Sequence, residues 1–326
     1  MGINTPRSKP QPPGSVTEPV LPAEARPRRA WIPDQPWPAA TEAAAARLQA
    51  RDRIGFMQGR LSPPVDGQIQ AFPWATWREE FLLARVHGFR VMEWTLDAAR
   101  LRENPLLTAP GRAEIRQLSA DHGLTVASVT GDFFMQAPFF RVEGWTRQAR
   151  LDDLARTVEA CLEMAIPHLV LPLVDNGRID DPCTEDLVAA TLTRLQARYR
   201  GTAFTLLFES DFTPDALADF LARFPATGFG VNLDIGNSAA LGHAPGPEVA
   251  TLAPLIRNVH VKDRRRNGHT VPLGTGAADI PAVLAGLRAA GYDGNLILQT
   301  ARAVDGDDAG VLVHYRDMVC DWLVTA

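Results

Sequence analysis

"FTLLFESDFTPDALADFLARFPATGFGVNLD", residues 204–234, holds one full repeat of the pattern that decides the fold. An apolar run ends abruptly in a carboxylate, Glu209. Thr213 and Pro214 then supply a helix start, because a hydroxyl can cap the first turn and proline is preset for its first position. Apolar residues recur at helical spacing over 214–224, and a second apolar run, "FGVNLD", stops at another carboxylate, Asp234. Strand, amphipathic helix, strand implies parallel pairing through a right-handed crossover.

The alternation extends in both directions. "IGFM" (54–57), "FRVMEW" (89–94), "LTVASVT" (124–130) and "HLVLPLV" (168–174) each precede a helical pattern, near 75–87, 109–122, 145–165 and 185–199. "FGVNLD" leads to a helix near 246–253, "IRNVHV" (256–261) to 279–290, and "NLILQT" (295–300) to 309–324. Eight strand–helix pairs in roughly 250 residues is the stoichiometry of a closed (β/α)8 barrel of the α/β class, here spanning 51–326. An open doubly wound sheet would usually carry a Gly-rich phosphate turn after its first strand, and "MQGRLSPP" is not G-x-G-x-x-G.

Residues 1–50 differ in texture. They hold ten of the 26 prolines with Arg26, Arg28 and Arg29, and show no periodic apolar face before the alanine-rich stretch at 39–50. This predicts a disordered Pro/Arg-rich extension ending in a short helix, with Trp31 and Trp37 as its only large anchors. A net charge of -5 offers no basic field for a phosphate backbone, so nucleic acid is not an expected partner. No apolar run approaches the ~18 residues of a membrane helix, and no charged-then-apolar start marks a signal peptide. Cys161, Cys183 and Cys320 form neither a disulfide framework nor a C-x-x-C pair, which suits a cytoplasmic protein. A homo-oligomer is compatible with the sequence.

In a barrel, polar residues that close apolar strands converge on one crater. Glu209, Asp234, His260 and Gln299 close the fifth to eighth strands. Two carboxylates and an imidazole suit a divalent ion such as Mn2+, Mg2+, Co2+ or Zn2+. Each alone has an ordinary use: Asp caps a loop, Glu pairs with an arginine, His is structural. Their conjunction predicts a metal site. Gln299 can ligate a cation through its oxygen but cannot take up a proton near neutral pH.

With "FESDFTP", "NLDIGN", "NVHVKDRR", "PLGTGAADIPAVL" and "LILQTAR", residues 54–324 resemble the xylose isomerase-like TIM barrels. That superfamily of sugar and sugar-phosphate isomerases and epimerases includes inosose dehydratases and an endonuclease branch. The resemblance implies that Glu209, Asp234 and His260 hold one divalent ion, with Gln299, where a second glutamate is expected, as a weak fourth ligand. It implies a substrate-binding role for Arg266, and Asn237 stands where some epimerases have a histidine. The implied chemistry is removal of a proton next to a carbonyl, leaving an enediolate, with Glu209 as base. With an amide at 299, the second proton carrier becomes Glu93, Lys262, Asp263 or water. Alternatively the reaction needs one base, as in a dehydration, or the site has decayed into a non-catalytic sugar-binding pocket.

Arg60, Lys262, Arg266 and Arg302 point to a sugar or an anionic sugar phosphate as the small-molecule substrate, although "KDRRR" (262–266) reads equally as a solvated charge run. "PLGTGAAD" (272–279) reads as a substrate loop whose N–H groups approach a ligand, with Asp279 capping the next helix and a phosphate at its start. Trp94 is placed to face a sugar ring. "TGDFFMQAPFF" (130–140) reads as a lid, a dimer contact or a loop covered by another loop. The endonuclease branch needs several histidines, and only His260 closes a strand.

Overall fold

A computed structural model describes residues 40–325, with eight parallel strands closed into a barrel. The strands are β1 (Ile54–Met57), β2 (Val91–Thr95), β3 (Thr125–Thr130), β4 (His168–Leu173), β5 (Thr205–Ser210), β6 (Phe229–Asp234), β7 (Ile256–Val261) and β8 (Leu296–Leu298). Each pairs with the next, and β8 returns to β1 through the register Ile54↔Leu296 to Phe56↔Leu298. Each strand run read from the sequence lies where expected. The last is shorter, because Gln299 and Thr300 leave the ladder and turn into the crater loops, although Gln299 N still donates to Val261 O at 3.1 Å.

The major crossover helices are α2 (Glu79–His87), α3 (Ala109–His122), α5 (Gly144–Glu163), α6 (Pro182–Ala197), α7 (Pro214–Leu221), α9 (Pro245–Leu252), α10 (Ile280–Ala289) and α11 (Asp308–Thr325). Thr213 caps α7 and Asp279 caps α10, through Ala216 N and Ala282 N. Two short helices had no period to betray them: α4 (Asp132–Gln136) after β3, and α8 (Ile235–Leu241) directly after β6.

The extension expected over residues 1–50 lies outside the described residues as far as position 39, Trp31 and Trp37 included. From Ala40 to Arg53 the chain forms α1, which pairs with α11 through Arg47 and Asp321. Arg53 then donates to the carbonyls of Tyr292 and Gly294 at 3.2 and 2.7 Å, fastening α1 to the loop before β8. No described helix is long and apolar enough to cross a membrane.

The main core lies between strands and helices, where Phe56, Leu206, Phe208, Val259 and Leu298 meet the helices' apolar faces. Alternation sends the other face of each strand into the barrel. There Met57, Val91, Ala127 and Ile297 form a small apolar group. Gly55 makes their approach feasible, since a Cβ on it would lie 2.8 Å from the Val91 carbonyl oxygen. The remaining interior is polar, with Glu93, Ser128, Asn232, Asn258 and His260 each 2% exposed or less.

Candidate active site

The carboxyl ends of the strands open into a cavity of about 590 Å³ lined by Asp132, Glu209, Asn237, Lys262, Arg264 and Gln299 among others. That volume falls within the roughly 300–1,000 Å³ of small-molecule sites. Glu209, Asp234 and His260 come together as β5, β6 and β7 deliver them side by side, Asp234 directly beside His260 in register. One ligand atom from each lies within 4.8 Å of the other two.

Glu209 is held by two amides. Its Oε1 accepts from Asn237 Nδ2 at 2.8 Å and its Oε2 from Asn232 Nδ2 at 2.9 Å. Asp234 divides its oxygens: Oδ1 caps α8 through Asn237 N at 2.9 Å, and Oδ2 pairs with Lys262 Nζ at 2.6 Å. His260 is fully buried between acids, its Nε2 2.7 Å from Glu93 Oε1 and its Nδ1 3.0 Å from Glu209 Oε2. Burial opposes an imidazolium here, but Glu93 and then Glu209 outweigh it and push His260 up to about 10. Burial likewise opposes a charged Glu93, yet His260, Ser128 and Asn258 together hold its carboxyl below the usual range.

Two carboxylates and one imidazole are a donor set for Mn2+, Mg2+, Co2+ or Zn2+. Glu93 behind the ring completes a carboxylate–histidine arrangement that fixes the ring's orientation and makes the far nitrogen a stronger ligand. The residues therefore fit a divalent ion on Glu209, Asp234 and His260. A divalent ion there would take the Nδ1 lone pair, with the ring's proton on Nε2 facing Glu93.

Several sequence expectations need correction. Glu93 has no exposed surface and bonds to Ser128 (2.5 Å), Asn258 (2.7 Å) and His260, so it positions the histidine rather than facing substrate. Arg60 lines the cavity, but it is 3% exposed and spends its donors on the carbonyls of Thr300 and Ile69. Arg302 is spent on the carbonyls of Gly59, Ser62 and Ile69 and on Asp308. Both arginines clamp the β1 loop against the end of β8. Arg266 is exposed and stands outside the cavity lining; Arg264, two residues nearer β7, enters instead and donates to Asn237 Oδ1 at 2.7 Å.

The glycine loop is not a ligand cradle. Gly274 N, Gly276 N and Ala278 N all donate to the buried Asp263 carboxylate, at 3.0, 2.8 and 3.1 Å. Trp94 packs in the core against Phe72 and Trp77, its Nε1 on Asn104 Oδ1. In residues 130–140, Phe133, Phe134, Phe139 and Phe140 are buried, the last three against one another, which matches a covered loop. Gln299 reaches the crater, but its Oε1 accepts from Lys262 Nζ at 2.8 Å and its Nε2 donates to Gln70 Oε1 at 2.9 Å.

Asp132 is the residue that sequence reasoning missed. It lies two positions past the end of β3, and the aromatic run beside it masked a polar residue at a strand mouth. Its Oδ2 accepts from Gln70 Nε2 at 2.7 Å and its Oδ1 from Thr130 Oγ1 at 3.2 Å. Burial, then the Asp97 charge, push it up to about 6, with Glu209 adding to the rise. Gln70, from an irregular loop, left no signal in the sequence.

A family model described as a xylose isomerase-like TIM barrel matches residues 81–312. A xylose isomerase domain protein from Planctomyces limnophilus superposes with a TM-score of 0.66 at 17% identity, covering 83% of this chain and 96% of that one. A xylose isomerase-like TIM barrel protein from Mycobacterium smegmatis, in complex with magnesium, gives 0.61 at 20% identity over 84% and 97%. An L-ribulose 3-epimerase gives 0.63 at 18% identity over 84% and 95%. Among curated proteins none matches the chain in sequence.

Proposed function

The chain belongs to the xylose isomerase-like TIM barrel family, and from that premise we propose that it is a divalent-metal-dependent isomerase or epimerase of a sugar, moving a proton next to a carbonyl. The observation that carries this reading is the convergence of Glu209, Asp234 and His260 donor atoms within 4.8 Å at the mouth of the barrel. A divalent ion held there would polarise a carbonyl and its neighbouring hydroxyl and so acidify the carbon between them.

Glu209 is the base. Its carboxylate faces the cavity and is oriented by Asn232 and Asn237. Asp132 is the second proton carrier, in place of the buried Glu93. It lines the same cavity, is oriented by Gln70 and Thr130, and with its pKa near 6 it exchanges a proton readily at neutral pH. Gln299 moves no proton.

The charge of the cavity favours a neutral sugar over a phosphate. Its basic groups Arg60, Arg178, Lys262 and Arg264 are matched by the acids Asp132, Asp175, Glu209 and Asp211. Arg178 is already paired with Asp211 at 2.6 Å, and Lys262 with Asp234.

The test is solvent exchange. L-ribulose, D-fructose and D-tagatose are incubated in D2O with Mn2+, and loss of the proton next to the carbonyl is followed by NMR. Wild type takes up deuterium into at least one ketose, and Glu209→Gln slows uptake by about 10²-fold or more. Uptake that Glu209→Gln leaves unchanged contradicts the assignment of the base; no uptake from any of the three contradicts the reaction. The amide at 299 favours one second reading, a one-base dehydration, which would release a product lighter by one water.

A further inference from the structure

Of the 33 basic residues in this chain only Lys9 and Lys262 are lysines; all the rest are arginines. Lys262 is therefore the only lysine among the described residues, and it stands in the crater. Its ammonium lies 2.6 Å from Asp234 Oδ2 and 2.8 Å from Gln299 Oε1, and its side chain is 11% exposed. Its stem occupies a fitted slot: a Cβ on Gly236 would lie 2.8 Å from Lys262 Cγ and 3.0 Å from Lys262 Cβ.

The hydrogen bonds behind it run in one direction. Asp132 accepts from Gln70 Nε2, which turns Gln70 Oε1 toward Gln299. Gln299 must then donate through Nε2, which leaves its Oε1 facing Lys262. Only a side chain with both an acceptor and a donor can sit between Lys262 and Gln70 in this relay; a carboxylate at 299 would face Gln70 oxygen to oxygen. An amide at 299 thus meets both neighbours, its Oε1 accepting from the ammonium and its Nε2 donating to Gln70.

We propose that Lys262 is the resident counter-ion of Asp234, anchored by Gln299, and that a divalent ion binds Glu209, Asp234 and His260 by displacing it. An ammonium is a compact point charge on a flexible stem, so it can seal a carboxylate and still swing away, whereas a planar guanidinium in a fixed fork is harder to release. With Asp234 Oδ1 spent on the cap of α8, Oδ2 is the oxygen left for a cation, and an ammonium and a divalent ion crowded onto that one oxygen repel strongly. Metal entry and delivery of the Lys262 ammonium into the cavity are then a single event, and the released ammonium becomes available to a substrate oxygen. This inference rests on the metal-dependent reading above.

The experiment uses the full chain and Mn2+ alone. Calorimetric Mn2+ binding is compared for wild type, Lys262→Met and Lys262→Gln, with circular dichroism confirming the fold of each. In parallel, reductive methylation of wild-type lysines is followed by peptide mass with and without Mn2+, Lys9 serving as the internal reference. Displacement requires Mn2+ to bind about tenfold tighter or better to whichever folded variant lacks the ammonium, and methylation of Lys262, relative to Lys9, to accelerate several-fold when Mn2+ is added. If Mn2+ binds wild type but neither variant binds it more tightly, or if Lys262 methylation ignores Mn2+, the displacement is wrong while the metal reading stands. Absence of Mn2+ binding in wild type and variants alike removes the metal reading, and the displacement with it.

Discussion

At the scale of single residues, the site is a set of carboxylates given different work by their surroundings. Glu93 and Glu209 flank one imidazole, but only Glu209 reaches the cavity. Glu93→Gln should therefore leave the base intact and weaken divalent-metal affinity by about 10–100-fold, as removal of an orienting carboxylate behind a metal-bound histidine does; Mn2+ titration measures it. Asp132 adds a pH dependence whose sign is fixed. Its folded pKa is raised from 3.8 to about 6, so the stability it contributes is present below 3.8 and is lost as pH rises through about 6. The melting temperature of Asp132→Asn relative to wild type should climb between pH 4 and pH 7, and a difference flat across that range would refute the buried carboxyl. In turnover, proton donation by Asp132 should fall away above about pH 6, and Asp132→Asn should remove that limb. None of these assignments follows from residue type alone. Glu93 and Glu209 both end or nearly end a strand, and only the depth of the side chain in the barrel separates them.

At the scale of elements, the segment after β7, where Asp263–Arg264 pairs antiparallel with Thr270–Val271 before the glycine loop, shows how a motif can be read correctly as local geometry and wrongly as function. The glycines of residues 272–279 do let backbone N–H groups close around an anion, but that anion is Asp263, part of the chain itself. A Cβ on Gly276 would stand 2.1 Å from Asp263 Oδ1 and 2.6 Å from the Arg264 carbonyl oxygen, so the fit leaves no room for a side chain. Asp263→Ala strands three N–H donors and should cost about 3 kcal/mol or more. Urea unfolding would report it, and a loss under about 1 kcal/mol would show that water replaces the carboxylate. Because the same segment carries Lys262 and Arg264, the variant should also raise KM. The clamp of Arg60 and Arg302 on the β1 loop is a second case. Their sequence positions at the mouths of β1 and β8 were informative, but their guanidinium groups spend their donors mainly on carbonyls.

At the scale of the whole molecule, the barrel was legible because burial on both sides of a parallel strand leaves uninterrupted apolar runs, and the helices between them keep a 3.6-residue period. The chain positions of Glu209, Asp234 and His260 carried their convergence for the same reason, since strand ends map directly onto the crater. What stayed hidden depends on side-chain direction across long separations. Gln70 meets Gln299 and Asp132 from a loop without periodicity, and Asn232 and Asn258 complete a buried network inside strands that read as apolar. The central claim is that Glu209, Asp234 and His260 jointly hold a divalent ion. Anomalous diffraction from crystals grown with Mn2+ tests it most directly. The account predicts a single strong peak about 2.0–2.3 Å from an oxygen of Glu209, an oxygen of Asp234 and Nδ1 of His260, with Lys262 moved off Asp234. No peak among these residues at saturating Mn2+, with Lys262 still paired to Asp234, would contradict it.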